Sequence, residues 1–121
     1  MRDYLFRGKR VDNGEWVEGY LGYNKTRKQH YIMDDVDSFP IPVHKESVGQ
    51  YTGMKDKNGR KIFEGDIINI EYDMTTVENC VVAYVGACFY GNTDFDSWEL
   101  DYYTDIEVIG TVFENSDLLK G

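Results

Sequence analysis

Apolar and polar side chains alternate along much of this chain at period two, the repeat of a half-buried strand. No segment sustains a 3.6-residue period over three turns, so the pattern predicts a mainly β protein. Leu5 to Val11 opens as a strand, with Phe6 on one side and Arg7 and Lys9 on the other. Asp12-Asn13-Gly14-Glu15 follows, and Asn-Gly between two such runs is a strong hairpin signal. The return strand, Trp16 to Tyr23, puts Trp16, Glu18, Tyr20 and Gly22 on one face. Asn24 to Lys28 is a polar turn, and Gln29 to Met33 a third strand that ends at Asp34-Asp35-Val36-Asp37-Ser38. Phe39-Pro40-Ile41-Pro42-Val43 cannot be a central strand, because proline lacks the donor that a ladder needs. It reads as an edge segment or connector.

Ser47 to Gly53 is strand-like, and Asp56-Lys57-Asn58-Gly59 reverses the chain. Ile62 and Phe63 are expected to pack inward before the Glu64-Gly65-Asp66 corner, which launches a strand over Ile67 to Tyr72. In that corner the glycine takes the unusual backbone angle and the aspartate bonds nearby amides, as at the Gly-Asp corner of SH3-like barrels. Asp73 to Asn79 reads as a polar connection. Cys80 to Val85 is the most apolar run and is expected to be a central strand buried on both sides. Gly86 marks a bend, with Ala87 to Tyr90 continuing the run. Gly91 to Asp94 is a turn, and Asp96 to Thr104 alternates Trp98, Leu100 and Tyr102. Ile106 to Phe113 is the final strand, and Asn115 or Ser116 is expected to cap a last helical turn over Leu118 and Leu119.

The expected fold is therefore mainly β: a small SH3-like or partly open barrel, or a strongly bent antiparallel sheet, closed by a short C-terminal helical turn. With 121 residues, 41% hydrophobic and 15% aromatic, the chain can build a core without staples and is too apolar for disorder. It reads as a single domain over 1–121, with room for an N-terminal β lobe over 1–47 and a barrel-like lobe over 48–121. No apolar run approaches the length of a membrane helix, and the charged N-terminus builds no signal-peptide core, so a cytoplasmic protein without membrane contact is expected. Cys80 and Cys88 are then thiols, at a spacing that suits no metal.

Charge changes the picture more than composition does. The net charge is −9, yet residues 1–61 carry 12 Lys+Arg against 9 Asp+Glu, and residues 62–121 carry one cation against 13 acids. Such asymmetry fits simple solubility, or a protomer whose acidic face meets a basic face on another copy or partner. The candidate contact set is Arg7, Lys9 and Arg10 near Phe6, and Lys55, Lys57, Arg60 and Lys61 on one hairpin. Basic residues among aromatics suit single-stranded nucleic acid, although the acidic balance opposes it. An acidic chain can also occupy another protein's basic groove as an inhibitor.

Catalytic signatures are missing. No phosphate-binding glycine loop, nucleophile elbow or zinc-protease motif is present. His30 and His44 stand beside no nucleophile motif. The clusters Asp34, Asp35, Asp37 and Asp94, Asp96, Glu99, Asp101 do not follow an EF-hand spacing and read as solvated turns. No metal, cofactor or catalytic residue is assigned, and the chain is expected not to be an enzyme.

FRGKR near the start, Trp16 to Tyr20, VGQYTGMKDKNGRKIFEGDII and EVIGTVFENSDLL together resemble the YopX family, small proteins of bacteriophages and prophages. The resemblance covers nearly the whole chain, and its middle block runs over more than twenty consecutive residues. It implies a homo-oligomeric phage protein with a phage or host protein as partner, and it brings no activity with it. The acidic region from Asp94 to Glu107 is where this chain departs most from its relatives. The reading that follows is a self-assembling binding or scaffolding module, with a nucleic-acid-binding accessory protein as the alternative.

Overall fold

The computed structural model describes residues 5–33 and 39–119, so Asp34, Asp35 and Asp37 lie outside the described residues. The chain divides into two compact units, Met1–Tyr51 and Thr52–Gly121. Both are antiparallel β, and the described helical residues are three short 3-10 turns and one α-helical turn. The mainly β expectation holds. The strand orders are linear, so the sheets are open and bent, with no closed barrel among the described residues.

In the first unit β1 (Phe6–Lys9), β2 (Trp16–Asn24), β3 (Gln29–Met33) and β4 (Ile41–Val43) are followed by β5 (Gly49–Lys55), whose first residues pair with β1. The order is β4-β3-β2-β1-β5. Asn13-Gly14 does turn the chain: Gly14 has φ +74°, Arg10 and Glu15 close the loop by a 2.8 Å bond, and Lys9 stands opposite Trp16. The proline segment takes the edge, as proline chemistry requires, with Pro42 opposite Tyr31. The sheet then bends round on itself. Arg10 bridges Val43, the Val11 amide donates to the Pro42 carbonyl at 3.0 Å, and the Lys9 amide donates to the Ser47 hydroxyl at 2.8 Å. Gly8 permits this closeness, since a Cβ there would meet Val43 at 2.8 Å. Ile32 and Val43 are fully buried beneath it.

The second unit begins with the hairpin of β5 and β6 (Lys61–Phe63) and continues through β7 (Asp66–Tyr72), β8 (Thr75–Val85), β9 (Cys88–Asn92), β10 (Ser97–Glu99) and β11 (Asp105–Thr111). The last five form a sheet in the order β10-β9-β8-β7-β11. Its core is Ile62, Ile68, Ile70, Cys80, Val82, Phe89, Leu100 and Ile106, all buried. The expected Gly-Asp corner is present: Gly65 has φ +90°, and the Asp66 carboxylate accepts the Phe63 amide at 2.8 Å.

Several local expectations are corrected. Asp73 to Asn79 is not a connection. Asp73 and Met74 both take positive φ, 47° and 63°, in a two-residue turn between Tyr72 and Thr75, and β8 starts at once. Without glycine or Asn-Gly the turn left no obvious mark, and the β-branched Thr75, Thr76 and Val77 belong to the strand. Cys80 to Val85 is central in the sheet but buried on one face only; Cys80 and Val82 point into the core, whereas Val85 is exposed. Gly86 and Ala87 (φ 58° and 70°) reverse the chain, so Cys88 to Tyr90 returns as β9 and does not continue the bend. Gly91 and Asn92 are strand, and the turn lies at Thr93 to Asp96, closed by a 2.9 Å bond. Alternation after Asp96 ends at Glu99, because Leu100–Tyr102 winds into a 3-10 turn.

The C-terminal helical turn also begins earlier than expected. α1 spans Val112–Asn115, followed by a 3-10 turn over Ser116–Leu119. Its cap is Thr111, whose hydroxyl accepts the Glu114 amide at 3.0 Å, while Asn115 Oδ1 accepts the Thr111 amide at 3.0 Å. The Thr-x-x-Glu spacing is the sequence mark of a capping box. Here Asn115 fills the place usually taken by the glutamate.

Asp56 ties the second unit together. It is only 6% exposed. Its Oδ1 accepts the amides of Asn58 and Arg60, both at 2.9 Å, which rigidifies the β5–β6 turn. Its Oδ2 accepts the Val108 amide of β11 at 3.0 Å, and the neighbouring Lys57 amide donates to the Ile106 carbonyl at 2.9 Å. The turn thereby covers part of the outer edge of β11, which would otherwise present bare backbone groups. Burial opposes ionisation of Asp56, but the three amides of Val108, Arg60 and Asn58, with the Arg60 charge, hold its pKa below the ordinary carboxylate value of 3.8. Because the folded value is the lower one, the stabilisation is complete above the unfolded value and is lost as pH falls through the folded value. Asp56→Asn keeps the shape but sets an N–H group among these donors. It should lower unfolding free energy by about 2 kcal/mol at neutral pH in urea titrations. The gap to the parent protein should narrow below about pH 4; a gap of equal size at both pH values would contradict this role.

Candidate interaction surfaces

The seven basic residues singled out in the sequence fall into two environments, one in each unit. In the first unit Arg7 and Lys9 face the same side as Trp16, set by the pairings Arg7–Glu18 and Lys9–Trp16. The Arg7 guanidinium lies 4.7 Å from the Trp16 ring centroid and the Lys9 ammonium 5.6 Å. Both cations are half-buried against this ring, where quadrupole attraction adds to stem packing. Arg10 grips Asp12 through two bonds of 2.9 and 2.8 Å. This trio is engaged within its own sheet.

The second group differs. Lys55, Lys57, Arg60 and Lys61 are all exposed around the β5–β6 turn, while the one carboxylate of that turn, Asp56, faces inward to three amides. The turn is a rigid platform with cations on its outside. Elsewhere among the described residues of the second unit the exposed charge is acidic: Glu71, Asp73, Glu78, Asp94, Asp96, Asp101, Asp105, Glu114 and Asp117. Two large apolar side chains stand fully in solvent among these acids, Met74 beside Asp73 and Phe95 between Asp94 and Asp96 (92% exposed). An open cavity of about 450 Å³ beside Phe95 is lined by Val81, Asn92, Asp94, Leu118 and Leu119.

A third surface was missed in the sequence. The turn between β2 and β3, read only as polar, carries Lys25, Arg27 and Lys28, all exposed. Asn24 Oδ1 accepts the Arg27 amide at 3.0 Å, and Lys28 takes φ +53°, so the turn has a defined geometry. Beside it lies a recess of about 520 Å³ lined by Gly22, Asn24, Arg27, Tyr31, Met33 and Pro40. The strand register is what joins these residues, and register is not visible in local pattern.

The remaining chemistry is quiet. Among the described residues no group of three His, Cys, Asp or Glu side chains is placed to hold a metal ion. His30 packs on Tyr23 with ring centroids 4.7 Å apart, and the His44 carbonyl accepts the Ser47 hydroxyl. Neither Cys80 nor Cys88 is in a disulfide; Cys80 is a packing group of the core, and burial pushes its thiol up to about 11. No described helix is long and apolar enough to cross a membrane.

The two basic groups should separate in stability measurements. Arg7→Ala loses the Trp16 stacking and stem packing, and should cost about 1–2 kcal/mol in urea unfolding. Lys55→Gln with Lys57→Gln should stay within about 0.5 kcal/mol of the parent, as for surface positions generally. Equal costs would refute the division into engaged and outward-facing cations.

No curated protein matches the chain. The family model described as YopX protein matches residues 5–120. That match carries the N-terminal Phe-Arg-Gly-Lys-Arg, the Asp56 turn and the Gly65-Asp66 corner within a single span, and the chain belongs to the YopX family.

Proposed function

We propose that this protein is a non-enzymatic binding module that assembles with copies of itself. The observation that carries this reading is the sorting of charge in the second unit. Residues 52–121 hold five Lys+Arg and 14 Asp+Glu, and four of those five cations sit on one exposed turn. Met74 and Phe95, exposed and bordered by carboxylates, are the apolar anchors that a basic surface on another copy would bury. Acidic rim and basic turn are complementary in sign, which steers encounter and fixes orientation. The setting we propose for this assembly is the cytoplasm of a bacterial host, in keeping with the reading of Cys80 and Cys88 as thiols.

Charge-steered assembly weakens with salt, so light scattering should give a mass above the protomer at about 20 mM salt and a smaller one at about 500 mM. Lys55→Glu, Lys57→Glu and Lys61→Glu together should reduce the mass at low salt. Adding Asp94→Lys and Asp96→Lys to that variant should restore it. A protomer mass under every condition overturns the proposal.

A further inference from the structure

We infer that the β2–β3 hairpin of the first unit is a binding surface for single-stranded nucleic acid, with Tyr31 as stacking platform and Lys25, Arg27 and Lys28 as phosphate contacts. This goes beyond the assembly proposal and does not rest on it.

Strand register sets this surface. Gly22 stands directly opposite Tyr31, and Tyr20 opposite Met33. Cross-strand neighbours normally cover one another's side chains. At this pair the partner has no side chain, so Tyr31 has no cross-strand cover from β2. The result is the recess of about 520 Å³, within the size range of sites that hold a small planar group. Tyr20, 58% exposed, lies two residues along the same face, so a second aromatic surface follows the first. Met33 lines the floor, and a Cβ at position 22 would come within 3.0 Å of its Cε.

Charge is arranged to match. From Gly19 to Met33 the chain holds no acid, while its turn carries three exposed cations, of which Arg27 lines the recess itself. A single strand presents bases and phosphates alternately, and aromatic platforms flanked by Lys and Arg read that pattern without regard to sequence. An acidic protein segment would satisfy the cations but has no planar group for Tyr31. A duplex would keep its bases stacked and out of reach of the recess. The first unit as a whole has eight Lys+Arg and eight Asp+Glu, so it lacks the acidic excess of the second, and screening confines repulsion to about 10 Å.

Fluorescence anisotropy of the full chain with labelled oligo-dT and oligo-U of about 15 nucleotides, at about 50 mM salt, tests this. Binding of either, weaker for a duplex of equal length, is expected; the DNA and RNA arms tell which sugar is preferred. Tyr31→Ala should weaken binding about tenfold. Lys25→Gln, Arg27→Gln and Lys28→Gln together should make the slope of log affinity against log salt shallower by about 2. Gly22→Val presses on Met33 Cε and narrows the recess without altering charge, and should also weaken binding; its circular dichroism spectrum and oligomeric mass check that fold and assembly persist. No binding at low salt overturns the inference. So do unchanged affinity in Gly22→Val and Tyr31→Ala, and equal competition by polyglutamate and oligonucleotide.

Discussion

One buried carboxylate does most to define the second unit. Asp56 accepts three backbone amides from two places far apart in sequence, Asn58 and Arg60 in its own turn and Val108 fifty-two residues on. A turn held only by local bonds would swing freely, and an edge strand held on one side only would invite pairing with other chains. The same side chain prevents both. It also decides the electrostatics of the turn: with its charge directed inward, the cations around it face solvent. A structural requirement of the hairpin therefore creates the exposed basic platform as a by-product.

What could be read from the sequence follows from how local each signal is. Asn13-Gly14, Pro40 and Pro42, Gly65-Asp66 and Asp56-x-Asn58-Gly59 each act through their own backbone geometry, and each appears where local chemistry puts it. The turn at Asp73-Met74 was harder to see, because two non-glycine residues adopt positive φ there and the energy must come from strand pairing on both sides; Gly86 was legible as a bend, but with Ala87 also at positive φ the bend is a full reversal. The one-sided burial of β8 was hidden for a different reason. An apolar run shows that side chains can be buried, but only topology determines whether both faces are covered. Thr111 could have been found, since Thr-x-x-Glu is a known cap spacing.

The interaction surfaces show the same limit. Arg7, Lys9, Lys55 and Lys61 look alike in sequence. The structure distinguishes them by neighbours: Trp16 stands opposite Lys9 and within reach of Arg7, while the turn cations project from a hairpin whose acid is turned inward. Lys25, Arg27 and Lys28 were legible as cations and illegible as part of a surface. Their aromatic companion Tyr31 lies on the next strand, and Gly22 matters only because register sets it opposite that ring.

A glycine in a strand is usually a weakness, since it adds entropy to the unfolded chain and packs nothing. The first unit has glycines on both faces of its sheet, and they act in opposite ways. At Gly8 the missing side chain is filled at once by Val43, which closes the bend and buries the valine completely. At Gly22 the place of the missing side chain is met only by the flexible end of Met33, 3.0 Å from where a Cβ would sit, and Tyr31 lines the recess beside it, next to a basic turn. No positive φ requires glycine at position 22, so what limits a larger, strand-favouring residue there is the Met33 methyl, which would have to move aside. Glycine at that position weakens the strand, and it leaves Tyr31 and the Met33 side chain, not a β2 side chain, to line the recess.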